Sequence, residues 1–140
     1  MTYTLFLDID GVLNQLQPWK IDSNCVYRLK QICDNLGDVN IILTSSWRKG
    51  FSRYKERCTP QVQHLLDELA KVNLKVYGRT KDLDDRQAEV LDYCTRYGIV
   101  KYIVLDDDKT LFKDMKNLYS VNAKTGLTDS DVKQLRKLYK

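Results

Sequence analysis

The chain has 140 residues, of which 43% are hydrophobic and 30% charged. That is the profile of one globular domain with a real core, and no apolar run approaches the ~20 residues of a membrane helix. The net charge of +4 is modest, but residues 46–57 (SWRKGFSRYKER) hold Arg48, Lys49, Arg53, Lys55 and Arg57 against Glu56 alone, so this one segment accounts for it all. A concentrated basic segment points to an anionic partner more strongly than the overall balance does.

In chain order, Thr4–Asn14 (TLFLDIDGVLN) comes first. Leu5, Phe6 and Leu7 read as a buried parallel strand, with Asp8, Asp10 and a break at Gly11 beyond it. Carboxylates at the carboxyl end of a strand fall where open α/β sheets hold their ligands. An ideal strand would turn Asp8 and Asp10 to one face, and that crowding of charge needs a cation or a shared proton to relieve it. The chemistry this suits is a metal-assisted nucleophile, Asp8, with a neighbouring acid/base, Asp10. A strand ending in a solvated acidic turn also fits these residues.

Gln15–Lys20 is a loop with Pro18 and Trp19. A helix is predicted from Ser23 to Asn35, capped by Asp22 or Ser23, with Val26, Leu29, Ile32, Cys33 and Leu36 facing inward. Val39–Leu43 is a second buried strand ending in Thr44, Ser45, Ser46, Trp47 and Arg48. After the basic loop, Thr59 caps a helix that carries Pro60 at its first position and buries Val62, Leu65, Leu66 and Leu69. Leu74–Tyr77 is a third strand, closed by Gly78. Asp84 opens a helix with Gln87 completing a capping box, its inner face Ala88, Leu91, Cys94 and Tyr97. Val100–Leu105 is the fourth strand and runs into Asp106, Asp107 and Asp108. A helical turn near Leu111–Met115 precedes a last strand at Leu118–Val121. Thr128 caps a final helix with Val132, Leu135 and Leu138 as its stripe. The alternation predicts a Rossmann-like, doubly wound α/β fold: a mainly parallel five-stranded sheet with helices on both faces, in one domain spanning residues 1–140.

Cys25, Cys33, Cys58 and Cys94 are scattered without a CxxC pair, and His64 is the sole histidine. The usual zinc spacings are excluded, and the scatter argues against a disulfide framework and for reduced, mostly packed thiols. A triad would rest on His64, which sits beside Leu65 and Leu66 on an amphipathic helix and reads as structural or surface. Met1 leads almost directly into a strand, with no secretory signal, so a cytoplasmic location is expected.

Three strands end in polar clusters: Asp8 with Asp10, Thr44 with Ser45, and Asp106 with Asp107 and Asp108. In a parallel sheet all three meet at one edge. Several carboxylates around a point suit an oxygen-liganded Mg²⁺, and hydroxyls with backbone N–H groups suit phosphate oxygens. A basic side chain would complete such a site by neutralising a transferring phosphoryl group.

The stretch LFLDIDGVLN resembles motif I of the haloacid dehalogenase (HAD) superfamily. IILTSSWR looks like its motif II, a hydrophobic strand ending in Thr or Ser, and IVLDDD looks like its motif IV. Motif III is a Lys or Arg near a helix start, matched best by Arg86, with Lys81 as runner-up. With Arg86-x-x-Glu89 and the late Thr125-Gly126-Leu127-Thr128, the chain is similar to the small HAD domains of bacterial and phage RNA-repair proteins. The resemblance implies that Asp8 attacks a phosphomonoester and becomes an aspartyl-phosphate, while Asp10 protonates the leaving oxygen and then activates water. It implies Mg²⁺ held by the Asp8 carboxylate, the Asp10 backbone carbonyl and Asp106, with Asp107 as a further ligand or a group behind the ligands. Thr44 and Ser45 would hold the phosphate, with Arg86 or Lys81 as counter-charge. Asp108 reads as a surface or cap residue.

The usual cap insertion points of that superfamily, Asn14–Asp22 and the interval between motifs II and III, are too short here for a sizeable cap. An open site favours a large substrate whose own body excludes water. Trp47, Arg48, Lys49, Arg53 and Lys55 on the basic loop are expected at the rim, binding phosphates and stacking a base, with Lys20 and Trp19 bordering the opening. A solvated basic face whose aromatics pack onto the domain also fits. The expected activity is removal of a terminal phosphate, the 3′-phosphate favoured, from an RNA or DNA end. Two alternatives remain: a phosphatase of nucleotides or other small phosphoesters, and a catalytically idle HAD fold that binds nucleic acid.

Overall fold

A computed structural model describes residues 2–17 and 20–139. Its core is five parallel strands, β1 (Tyr3–Leu7), β2 (Val39–Leu43), β3 (Val76–Arg79), β4 (Tyr102–Asp106) and β5 (Leu118–Ser120), in the order β3-β2-β1-β4-β5. Among the described residues, helices α1 (Ser23–Leu36), α2 (Pro60–Ala70) and α3 (Arg86–Tyr97) connect the first four strands, a short turn joins β4 to β5, and helix α4 (Asp129–Leu138) follows β5. No helix is long and apolar enough to cross a membrane. This is the parallel α/β architecture that the alternation of the sequence predicts.

The two-residue period of the strands sorts their side chains into two layers. Leu5, Leu7, Ile41, Leu43, Ile103 and Leu105 join the larger core with residues of α1, α2 and α4. Phe6, Ile42 and Val104 join a smaller one with Val90 and Cys94 of α3 and Phe112. Three helices thus cover one face and a single helix the other. All four cysteines are buried and free.

The caps follow the sequence closely. Asp22 accepts from the Asn24 backbone N–H, Thr59 from that of Val62, and Thr128 forms a reciprocal capping box with Asp131. Several expectations need correction. β3 begins at Val76 and continues through Gly78, which pairs with Ile42 where the register shifts; a glycine in a strand marks such an irregularity as readily as a stop. The cap of α3 is Asp85, not Asp84, which takes a left-handed conformation at φ 59, so no box with Gln87 forms. The buried residues of α3 are Glu89, Val90 and Cys94, while Leu91 and Tyr97 are exposed. Glu89, a charged residue, takes a core position on the inward face. Val100 and Leu138 are likewise exposed rather than packed.

Candidate active site

The parallel register brings the carboxyl ends of β1, β2 and β4 to one edge. β1 ends at Leu7, where the backbone N–H of Asp8 still donates to Leu105 and that of Thr44 to Leu7. Asp8 and Asp10 therefore lie in the turn beyond the strand and their side chains part, instead of sharing a strand face. Carboxylate oxygens of Asp8, Asp106 and Asp107 lie within 4.8 Å of one another. Asp10 turns aside and is fixed from two directions: Asn14 Nδ2 donates to its Oδ1 at 3.0 Å, and Trp47 Nε1 donates to its Oδ2 at 3.1 Å. The crowded charge pair is Asp8 with Asp106, not Asp8 with Asp10.

Gly11 makes this packing possible. Its φ of 84 disfavours a side chain, and a Cβ there would lie 2.5 Å from an Asp107 carboxylate oxygen. On the other flank the Leu127 backbone N–H donates to Val12, and a Cβ at Gly126 would meet Cys25 Sγ at 2.8 Å and Val12 O at 3.0 Å. The Thr125–Thr128 segment thus braces the turn carrying Asp8 and Asp10.

Arg86, at the start of α3, is the basic group that reaches the carboxylates. Its Nη1 lies 2.8 Å from Asp106 and 3.7 Å from Asp8. Lys81 is exposed in the loop before α3, so the geometry favours Arg86 between the two basic candidates. Asp106 also accepts from the Asp108 backbone N–H, and Asp108 caps the turn at Lys109–Leu111. Thr44 is fully buried and its Oγ1 has no hydrogen-bond partner among the described residues. Such an atom is costly unless a ligand satisfies it. Ser45 caps the turn that follows, accepting from the Trp47 N–H.

The basic loop divides. Arg48 is not a rim cation. It is 6% exposed, with Nη2 2.9 Å from Glu89 and Nη1 donating to the Thr44 carbonyl at 2.5 Å. Its charge neutralises a buried carboxylate and its guanidinium holds the loop after β2 in place. Trp47 is also buried; its ring supports Asp10 rather than stacking a base at the surface. Lys49 is exposed beside Asp82 at 3.5 Å. Arg53 and Lys55 line a hollow against Leu66, Ala70 and residues 73–77. That hollow lies beside the amino-terminal half of β3, so these two residues stand away from the carboxylate edge. Lys20 is exposed, and its carbonyl accepts from Asn14; Trp19 lies outside the described residues. Glu89, quoted in the sequence only as part of a motif, is the residue that a reading by charge alone missed as a core member.

A divalent cation fits the carboxylate group on its chemistry: three oxygen donors, two of them from buried residues, with more negative charge than Arg86 alone balances. In the ion-free chain, burial and the Asp106 charge push the Asp8 carboxyl up from 3.8 to about 9, and burial pushes Asp106 up to about 6. The unfolded chain ionises Asp8 near 3.8 while the folded chain keeps it neutral to about 9. The folded state therefore holds the extra proton between these values, and the stability this confers is full below about pH 4 and is lost as pH climbs through 9. Thermal melts in chelator should accordingly fall from pH 6 to pH 8. Added Mg²⁺ should raise the melting point more at pH 8 than at pH 6, and Asp106→Asn should blunt that rise. A Mg²⁺-independent melt at both pH values would count against a cation at this cluster.

A parallel sheet with an Asp-x-Asp-Gly turn after β1, a buried Thr after β2, an Arg opening α3 and paired aspartates after β4 defines a HAD-like α/β domain. Residues 4–132 match the family described as the HAD domain in Swiss Army Knife RNA repair proteins, and the chain belongs to that family. Membership carries HAD-type phosphatase activity in general, in the setting of nucleic acid repair. Comparisons with curated proteins and with solved structures gave no match.

Proposed function

We propose that this protein is a Mg²⁺-dependent phosphomonoesterase that acts through an aspartyl-phosphate and removes a terminal phosphate, the 3′-phosphate favoured, from an RNA or DNA end. The observation that carries this reading is the convergence of Asp8, Asp106 and Arg86 beside the unpartnered hydroxyl of buried Thr44. The 140 residues act as one domain without a sizeable cap, in the cytoplasm, where four free cysteines stay reduced.

Asp8 Oδ attacks phosphorus as the ester P–O bond breaks, and the leaving alkoxide takes a proton from Asp10. Asp10, now a carboxylate, takes a proton from the water that attacks the aspartyl-phosphate, which releases inorganic phosphate and restores Asp8. Trp47 and Asn14 hold the Asp10 carboxylate in one orientation throughout. Thr44 Oγ1 and the Ser45 backbone receive phosphate oxygens, and Arg86 balances their charge. Asp8, the Asp10 backbone carbonyl and Asp106, with Asp107 beside them, would hold a divalent cation, which would supply positive charge to keep Asp8 ionised and to stabilise charge on the phosphoryl group.

Among the described residues, the interval after Asp10 holds a loop and α1, and the interval between Thr44 and Arg86 holds short turns, α2 and β3. An uncovered site favours a polymer end over a small ester. Phosphate release from matched 3′- and 5′-phosphorylated oligonucleotides, a mononucleotide and p-nitrophenyl phosphate tests this. We expect the 3′-phosphorylated strand to be turned over best. Equal or faster turnover of the small substrates would replace the end-processing role with that of a general phosphatase. A complete lack of turnover, with oligonucleotide binding retained, would leave a binding module.

A further inference from the structure

The reading as a nucleic-acid end phosphatase leaves open where the rest of the strand lies, and the following rests on that reading. We propose that the body of a single-stranded nucleic acid runs along the outer edge of β3, held by Lys75, Tyr77 and Arg79 from the strand side and by Arg53 and Lys55 across a groove. β3 is the terminal strand of the sheet. Alternation sets Lys75, Tyr77 and Arg79 apart from Val76, which is buried. Tyr77 is 67% exposed, and Lys75 Nζ stands 5.9 Å from its ring centroid.

Tyr77 stands between two hollows. One, of about 920 Å³, is lined by Arg53, Lys55, Lys75 and Phe51, with no carboxylate on its wall, although Lys55 also pairs with Asp67 outside it. The other, of about 420 Å³, is lined by Gly78, Arg79, Tyr93 and Tyr97. The row leads to the catalytic edge, since Arg79 Nη1 donates to the Arg48 carbonyl at 2.8 Å, just beyond Thr44 and Ser45. From Lys75 to Arg79 an extended chain covers about 13 Å.

Exposed rings interleaved with cations suit a single strand, whose unpaired bases stack while its phosphates meet the charges. An acidic peptide would use the cations and leave the rings idle, and a duplex stacks its bases on each other. Lysines at a sheet edge also discourage pairing with another strand. That competing role calls for charge alone and has no use for Tyr77.

The test is fluorescence anisotropy of a labelled single-stranded oligoribonucleotide with a 3′-hydroxyl end, titrated with the full chain at low salt. Lys75→Glu combined with Tyr77→Ala should weaken binding at least about tenfold, the size of one lost base stack. Tyr77→Phe keeps the ring and should bind like wild type, and melting curves report whether each variant folds. Unchanged affinity in the double variant, equal binding of a matched duplex or of poly-glutamate, or no wild-type binding would overturn the proposal. Binding of this hydroxyl-ended strand does not depend on turnover, so binding together with no phosphate release from the matched 3′-phosphorylated strand would leave the groove standing and remove the phosphatase reading instead.

Discussion

Replacing Asp8 with Asn should abolish phosphate release while making the ion-free protein harder to melt. Loss of a nucleophile that acts as a unit with its acid/base partner costs about 10⁴-fold or more in kcat. The stability change has the opposite sign. Asp8 is 7% exposed, and burial with the Asp106 charge holds its carboxyl far above the ordinary range. An amide of the same shape removes the ionisation that opposes folding as pH rises. At pH 8 in chelator the variant should melt a few degrees above wild type, on the order of 1 kcal/mol for a chain of this size. It should also lose most of the stabilisation that Mg²⁺ gives wild type. Turnover near the wild-type rate would remove Asp8 as the nucleophile; a lower melting point would mean that the carboxyl makes a structural contact the cluster geometry does not reveal.

Replacing Glu89 with Ala should be the most destabilising single change in the vicinity of the site. Glu89 is 2% exposed and joins three parts of the chain. Its Oε2 receives Arg48 Nη2 at 2.9 Å and the Leu83 backbone N–H at 2.9 Å, while Oε1 lies 3.8 Å from Arg86 Nε. Alanine would take the buried carboxylate from the Arg48 guanidinium, itself 6% exposed, and leave it the half-exposed Asp82 at 3.4 Å. Breaking a buried pair in this way costs about 3–5 kcal/mol, which in a chain of this length lowers the melting point by roughly 10 °C. The variant should also bind inorganic phosphate more weakly, because Arg48 fixes the backbone of Thr44 and Ser45, and Arg86 would lose a neighbour. Glu89→Gln keeps the shape and an acceptor for Leu83 and should lose less. Comparing melts and phosphate affinity of the two variants separates the charge from the hydrogen bonds. A Glu89→Ala protein as stable as wild type would show that Asp82, 3.4 Å from Arg48 Nη2, compensates the charge by itself.

Local signals carried most of the fold. The apolar runs before Asp8, Thr44 and Asp106 determined three central strands, because a strand covered on both faces must be apolar at successive positions. Asp22, Thr59 and Thr128 determined three helix starts, because a short polar side chain there satisfies orphan backbone N–H groups. The same stretches brought the segments bearing Asp8, Thr44 and Asp106 to one side of the sheet, since parallel strands deliver their carboxyl ends to one edge.

Tertiary structure decided the rest. It turned Asp10 away from Asp8 and onto Trp47 and Asn14, because β1 ends at Leu7 and the turn, not the pleat, aims the side chains. It favoured Arg86 over Lys81 as the counter-charge, because the start of α3 places Arg86 Nη1 2.8 Å from Asp106. It buried Arg48 against Glu89, two charges that each look solvent-facing until the loop after β2 meets α3. It also carried Arg53 and Lys55 past the carboxylate edge to the side of β3. Periodicity records how each segment is buried, whereas the pairing of distant charges depends on which segments meet, and that is set by packing between elements far apart in the chain.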